Sequence, residues 1–198
     1  MTTIPVMQRL KSETKTAHQH LEKLTMPYIK GAKDDASYAR LLQLFHGFFQ
    51  PMEAQIHRIL GGTGVIADLA ERRQSTALQA DLQTLGAAAN DLQTMEELPP
   101  VETIAQALGA LYVLEGSTLG GRIITGILAK QTGRAPEDGI TFFNGYGEAT
   151  NDKWAAFTTT VNDYATAHPG EANAIVKAAD ETFKAFAGWV AISEGQPA

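Results

Sequence analysis

The side chains best suited to chemistry in this sequence are its five histidines, since the chain contains no cysteine. Without thiols, disulfide frameworks, thiolate metal sites and thiol nucleophiles are excluded. His18 differs from the other four because Thr14 and Glu22 lie four residues before and after it, on the same side of a helix. Polar neighbours of this kind can fix the orientation of an imidazole. His18 is therefore the histidine most suited to a functional site.

A glycine-rich segment, YVLEGSTLGGRIITGIL at residues 112–128, is the second candidate. Gly116 and Gly120 share a helix face with Gly109, and Gly121 follows directly. Each glycine inside a helix lowers the stability of the helix by about 1 kcal/mol relative to alanine. Three glycines within six residues therefore need a function that compensates for this loss. A transmembrane dimer face is excluded because charged residues interrupt the segment. Close helix packing and contact of the backbone with a ligand both remain open, and the pattern alone slightly favours packing.

The elements that must position these candidates are helices, according to the periodicity of apolar residues. The predicted helices are Val6–Leu24, one capped by Ser37 and reaching Leu60, Ile66–Leu85, Val101–Gln131, one capped by Asn151 and reaching Ala167, and Glu171–Ile192. Pro51 is expected to kink the second helix, and residues 133–150 are expected to form a loop. The fourth helix would be roughly 45 Å long, so it is expected to bend at its glycines. Since strand-like alternation is missing, we predict a single all-α domain spanning residues 1–198.

Charge and hydropathy narrow the possible partners. The net charge is −6 and the sequence pI is about 5.3, which argues against a nucleic-acid partner. The N-terminal residues lack the apolar core of a secretory signal, and no stretch is long and apolar enough to span a membrane. We therefore expect a cytoplasmic protein with a small-molecule or protein partner.

Two segments together resemble the heme oxygenase family, in particular the bacterial, biliverdin-producing type that accompanies bacteriophytochromes. They are LKSETKTAHQHLEK at residues 10–23 and ALGALYVLEGSTLGGRI at residues 107–123. The first is similar to the proximal helix of the family and the second to its glycine-containing distal helix. The chain length and the sequence FFNGYGEAT at residues 142–150 fit as well. The resemblance implies a helical bundle with heme sandwiched between a proximal helix and a glycine-kinked distal helix.

The resemblance also implies a reaction. Heme would be both cofactor and substrate, and O₂ with an electron donor would cleave it to biliverdin, CO and iron. His18 would supply the axial nitrogen to the iron. Gly116, Gly120 and Gly121 would let the distal backbone approach the other side of the macrocycle. The donor would be a ferredoxin, a flavodoxin or a reductase, and a bacteriophytochrome would be the acceptor of biliverdin.

Further site residues follow from the same resemblance. Lys11 and Lys184 would bind the heme propionates, and Thr14, Glu22 and Tyr112 would belong to the heme-binding residues. The remaining alternatives are a non-catalytic heme carrier or sensor and a helical bundle that binds no heme.

Ser117 is a departure from the animal members of the family, which carry an aspartate immediately after the first distal glycine. Serine can hold a water molecule but supplies no negative charge. By its position, the resemblance assigns Ser117 to the catalytic residues together with Gly116, Gly120 and Gly121. It leaves open which meso carbon is cleaved.

Overall fold

The computed structural model describes residues 4–72, 75–88 and 92–193 of the chain. Within these ranges the chain forms no β-strand and eight α-helices, which are α1 (Val6–Glu13), α2 (Lys15–Gly31), α3 (Asp35–Leu60), α4 (Thr76–Thr84), α5 (Ile104–Thr132), α6 (Thr141–Asn144), α7 (Thr150–Ala167) and α8 (Ala172–Ser193). Short 3₁₀ turns occupy Leu69–Glu71, Gly147–Ala149 and Pro169–Glu171. The all-α prediction is confirmed. Every helix of the described ranges is too short or too polar to cross a membrane.

The predicted N-terminal helix is in fact two helices that meet at Thr14. The Thr14 hydroxyl donates a hydrogen bond to the Leu10 carbonyl at 2.7 Å, and the Ser12 hydroxyl donates to the Gln8 carbonyl at 3.0 Å. Hydroxyls that bond back to the preceding turn bend helices, and here they accompany a break. Beyond the break α2 continues to Gly31, about two turns past the predicted end at Leu24.

Both predicted N-caps are wrong by a few residues. The cap of α3 is Asp34, whose carboxylate accepts from the Ser37 amide at 2.7 Å, while the Ser37 hydroxyl accepts from the Asp34 amide at 3.1 Å. This reciprocal pair is a capping box in which Ser37 holds the third helical position. Asn151 lies inside α7, because the 3₁₀ turn Gly147–Ala149 leads directly into a helix that begins at Thr150.

The predicted helix at 66–85 is also wrong, since among the described residues of this range only the 3₁₀ turn Leu69–Glu71 and α4 are helical. The backbone is extended at Arg72, whose guanidinium is buried in an ion pair with Glu115 of α5. This tertiary contact overrides the local periodicity. Residues 73 and 74 lie outside the described part of the chain.

The segment predicted as a loop at 133–150 contains the short helix α6. The buried Asp81 carboxylate accepts hydrogen bonds from the first amides of α6, at Thr141 (3.0 Å) and Phe142 (2.9 Å). The Tyr38 hydroxyl donates to the Gly139 carbonyl at 2.8 Å just before it. Hydrogen bonds from residues distant in sequence therefore stabilise α6, in a segment whose own sequence is typical of a loop.

The long helix α5 runs through the molecule and packs mainly against α8. It is continuous from Ile104 to Thr132, begins at a capping box formed by Thr103 and Gln106, and ends at Gly133 in the left-handed conformation, with φ of +73°. Ending a helix this way favours glycine because no Cβ opposes a positive φ. The bend expected at the glycines of α5 and the kink expected at Pro51 stay predictions.

Candidate functional site

His18 lies on the outer side of α2, with its side chain 52% exposed. Its ring packs against Phe183 of α8, with the ring centroids 5.1 Å apart. The Glu22 carboxylate approaches Nε2 of the imidazole at 3.5 Å. An exposed imidazole resting on an aromatic ring can offer a nitrogen to a ligand without first leaving the core.

The two polar neighbours of His18 behave differently. Glu22 is 59% exposed and can turn away from Nε2 at little cost, which it must do if Nε2 binds a metal. Thr14 is buried, and its hydroxyl donates to the Leu10 carbonyl at 2.7 Å. Thr14 lies at the junction of α1 and α2 and next to Tyr112 of α5.

Aromatic side chains connect His18 to the glycines of α5. Phe183 contacts both His18 and Tyr112, whose ring centroid is 6.4 Å from that of Phe183. Tyr112 in turn lies 5.7 Å from Trp154 of α7, measured between ring centroids. Burial raises the pKa of the Tyr112 hydroxyl, so it stays neutral at ordinary pH. A methyl group added at Gly116 would lie 3.7 Å from the Trp154 ring.

The glycines of α5 divide into two kinds when a Cβ atom is built on each. At Gly109 it would collide with the Ile175 carbonyl oxygen, and at Gly121 with the Phe143 carbonyl oxygen. At Gly116 it would make only ordinary van der Waals contact, and at Gly120 no atom lies within 4 Å. Close packing therefore accounts for Gly109 and Gly121, but not for Gly116 and Gly120.

Gly116 and Gly120 share one helix face with two exposed hydrophobic side chains, Leu119 and Ile123. Leu119 is 43% exposed and Ile123 is 71% exposed. We call these four residues the open face of α5. Sequence reasoning missed Leu119 and Ile123, although their spacing of four residues beside the glycines was visible. Exposed apolar side chains next to bare backbone offer a surface on which an apolar ligand can lie.

A different face of α5 is buried and fixed, and we call its residues Glu115, Thr118 and Gly121 the braced face. Glu115 forms an ion pair with Arg72, at 2.6 Å between Oε2 and Nη1. Thr118 lies against Gly145, and Gly121 against the Phe143 carbonyl. Arg72 and the segment that follows α5 thus contact the braced face, while the open face stays accessible.

Comparison with known proteins identifies the family and the fold. A sequence model of the heme oxygenase family matches residues 5–191. This chain belongs to the heme oxygenase family. A heme oxygenase from Xanthomonas campestris pv. campestris (strain 8004) is 35% identical over 102 residues, which are 52% of this chain and 59% of that relative. The chain is thus matched over less than two thirds of the length of this curated heme oxygenase.

Two solved heme oxygenase structures share the fold. The NO- and CO-bound heme oxygenase from Neisseria meningitidis has a TM-score of 0.82 at 22% identity, covering 99% of this chain and 95% of that chain. The heme oxygenase from Leptospira interrogans has a TM-score of 0.75 at 20% identity, covering 96% of this chain and all of that chain. These likenesses extend over nearly the whole chain.

The remaining residues singled out by the heme oxygenase motifs occupy different environments. The Ser117 hydroxyl donates to the Leu114 carbonyl at 2.7 Å. Lys11 is exposed on α1. Lys184 forms an ion pair with Asp180 at 2.6 Å on its own helix, and this hydrogen bond raises the pKa of Lys184. Lys184 is therefore already engaged within α8.

Arg72 and Glu115 form a buried ion pair that sequence reasoning missed. Glu115 counted only as a charge interrupting an apolar segment, and Arg72 was placed inside a predicted helix. They are 43 residues apart in sequence, so no local pattern links them. A cavity of about 310 Å³ lies against Arg72 and Tyr146 rather than at His18.

Proposed function

We propose that this chain, as a single domain spanning residues 1–198, is a heme oxygenase that uses O₂ and a reductant to cleave heme to biliverdin, CO and iron. The observation that carries the proposal is the open face of α5. Gly116 and Gly120 cost helix stability, and packing with other residues does not require them. A flat ligand lying directly on this backbone supplies the missing reason.

The residues of the open face of α5 and His18 of α2 are suited to heme. Heme is a flat and largely apolar ring, and the exposed Leu119 and Ile123 would lose their contact with water against it. His18 would bind the iron through its imidazole, with Glu22 turned aside. When bound, the heme supplies the iron at which O₂ is activated and the meso carbon that is oxidised.

The protein's own groups would orient the ring and shape its surroundings. Gly116 and Gly120 would leave room for O₂ where any side chain would intrude. Phe183, Tyr112 and Trp154 would exclude water from the inner edge of the site. These contacts would fix where the ring edge lies relative to the distal backbone.

Protons for the reaction would pass near Ser117. Its hydroxyl is fixed by donation to the Leu114 carbonyl, and a hydroxyl oxygen accepts hydrogen bonds from water. Ser117 would thus hold a water molecule beside Gly116 without adding a negative charge. The proposal therefore makes water, rather than a carboxylate next to the glycine, the immediate proton donor.

Exposed basic side chains would bind the heme propionates and the acidic surface of an electron donor. Lys11 would pair with a heme propionate, whereas Lys184 must first leave Asp180. The basic side chains Lys11, Lys15, Arg122 and Lys184 would also favour an acidic electron donor such as a ferredoxin or a flavodoxin, and a reductase is the other candidate. We further propose a cytoplasmic location and delivery of biliverdin to a bacteriophytochrome.

Titration with hemin tests the proposal. The purified chain should form a saturable one-to-one complex with the absorption of an imidazole-ligated heme. His18→Ala should lose this signature and regain it on addition of imidazole. His20→Ala is the matched control, because His20 is exposed on the same helix about 200° away and should bind hemin as the wild type does.

The other outcomes separate the alternatives. A chain that binds hemin through His18 but yields no biliverdin with ascorbate or a ferredoxin system is a heme carrier or sensor. A chain that forms no saturable complex is a helical bundle that binds no heme. An unchanged spectrum in His18→Ala contradicts the assignment of the axial ligand.

A further inference from the structure

Glu115 is a buried carboxylate that the proposed reaction does not use, and it stands one residue before Gly116. Its side chain is 3% exposed. Oε2 lies 2.6 Å from Nη1 of Arg72, and Oε1 accepts a hydrogen bond from the Tyr146 hydroxyl at 2.8 Å. Both carboxylate oxygens are thus held by groups from outside α5.

The partners of Glu115 are themselves fixed. Nε of Arg72 lies 3.0 Å from the Asp68 carboxylate, and Nζ of Lys153 lies 2.8 Å from the same carboxylate. Arg72 also donates to the backbone carbonyl of Lys153 in α7. Burial opposes the charge of Arg72, but Glu115 and Asp68 outweigh it and raise the pKa of the guanidinium. The network therefore ties α5 to α7 and to the turn that precedes α4.

Stability alone is a weak reason for such a network. Removing two charges from water costs free energy, and an apolar pair of similar volume is often as stable as a buried ion pair. A buried pair does impose one geometry, because its hydrogen bonds tolerate little displacement. On a helix, fixing one side chain fixes the rotation of the helix, and hence the direction in which the neighbouring residues point.

The contacts of the residues that follow Glu115 show in which orientation α5 is held about its axis. Thr118 and Gly121 follow it at intervals of three residues and lie against the segment after α5, at Gly145 and at the Phe143 carbonyl. The open face, with Gly116 and Gly120, is turned away from these contacts. A rotation of α5 that broke the Glu115 contacts would also turn the two open glycines.

We propose that Glu115 is a positioning residue, which together with Arg72 and Tyr146 fixes the rotation of α5 so that Gly116 and Gly120 face the heme. The inference rests on the proposed function. Glu115 touches neither heme nor O₂ in this account. It acts through the adjacent backbone, and it should therefore influence which meso carbon lies next to the distal glycines.

Two conservative variants test the inference. Tyr146→Phe removes one hydrogen bond and keeps the ion pair, and Glu115→Gln removes the charge at nearly the same volume. Tyr164→Phe is the matched control, because the Tyr164 hydroxyl donates to the Glu171 carboxylate at 2.6 Å elsewhere on α7. If Glu115→Gln does not fold, Tyr146→Phe carries the test.

The first readout uses the heme-free protein. Hydrogen exchange of the α5 amides at 113–124 should become about tenfold or more faster in Tyr146→Phe, because a hydrogen bond to a charged group is lost. The same peptide should keep the wild-type rate in Tyr164→Phe. Equal exchange in all three proteins overturns the inference.

The second readout is the ratio of biliverdin isomers formed from bound hemin. A shifted ratio in Tyr146→Phe and Glu115→Gln, with the wild-type ratio in Tyr164→Phe, supports positioning. A lower yield at an unchanged ratio shows that the pair only stabilises the fold, and it overturns the inference. If the wild type forms no biliverdin, the proposed function fails, and the exchange result still decides whether these contacts fix α5.

Discussion

Two adjacent glycines of α5 should respond to alanine in opposite ways. At Gly120 a Cβ atom has no neighbour within 4 Å, whereas at Gly121 it collides with the Phe143 carbonyl oxygen. Gly120→Ala should therefore stabilise the heme-free protein by about 1 kcal/mol, the difference in helix propensity. Gly121→Ala should destabilise it by about 1–3 kcal/mol, because backbone must move to admit the methyl group.

These free energies translate into measurable melting temperatures. For a chain of this size, 1 kcal/mol corresponds to roughly 2–4 °C. Thermal unfolding followed by circular dichroism should thus show Gly120→Ala melting a few degrees above the wild type and Gly121→Ala a few degrees below it. The two variants add the same methyl group to neighbouring positions, so each is the control for the other.

Gly120→Ala should bind hemin more weakly than the wild type, although it is the more stable protein without heme. If its backbone lies on the heme, the added methyl group overpacks the site by about 1–3 kcal/mol, which weakens hemin binding roughly 5- to 150-fold. A titration followed by absorbance measures the dissociation constant. A Gly120→Ala variant that is more stable and binds hemin as tightly as the wild type would refute the assignment of the open face to the heme. A destabilised Gly120→Ala would refute the structural reasoning itself.

Three further predictions concern other positions. Gly47→Ala should lower the free energy of unfolding by about 1–3 kcal/mol in a urea titration, because its Cβ would collide with the Trp189 ring, and unchanged stability would contradict this packing. Burial lowers the pKa of His46 below its ordinary 6.5, so the unfolded chain takes up the proton first and stability should be lost as the pH falls below about 6.5. Melting curves at pH 7.5 and 5.5 check this, since His46→Gln should lose less stability over that interval than the wild type. Lys11→Ala should weaken hemin binding about two- to fivefold, and Lys184→Ala should change it less because Lys184 already pairs within α8. An equal loss of hemin affinity in the two lysine variants would contradict this difference between Lys11 and Lys184.

Local patterns were sufficient for the elements that carry the candidate site. Apolar periodicity predicted α5 and α8 to within a few residues, and the predicted end of α7 at Ala167 is confirmed. The resemblance to the heme oxygenases, which rested on the segments around His18 and Gly116, is confirmed by the family match over residues 5–191. The roles of His18 and of the glycines in binding heme stay predictions.

The features that the sequence did not disclose depend on contacts between distant residues. The helix predicted at 66–85 is interrupted because Arg72 reaches Glu115 in α5, and α6 is ordered because Asp81 accepts hydrogen bonds from its amides. Neither partner can be recognised from the spacing of neighbours. The division of the glycines into packing and open positions likewise needed three-dimensional information, since Gly120 and Gly121 are adjacent in sequence but face different surroundings.

We propose that heme bound between His18 and the open face of α5 is the substrate. A single-turnover experiment measures this, with one equivalent of hemin bound to the wild-type chain and ascorbate added in air. The heme absorption should disappear while a stoichiometric amount of biliverdin and CO forms, and His18→Ala should lose this conversion. A heme spectrum that persists, or that bleaches without biliverdin, would show that the bound heme is not the substrate.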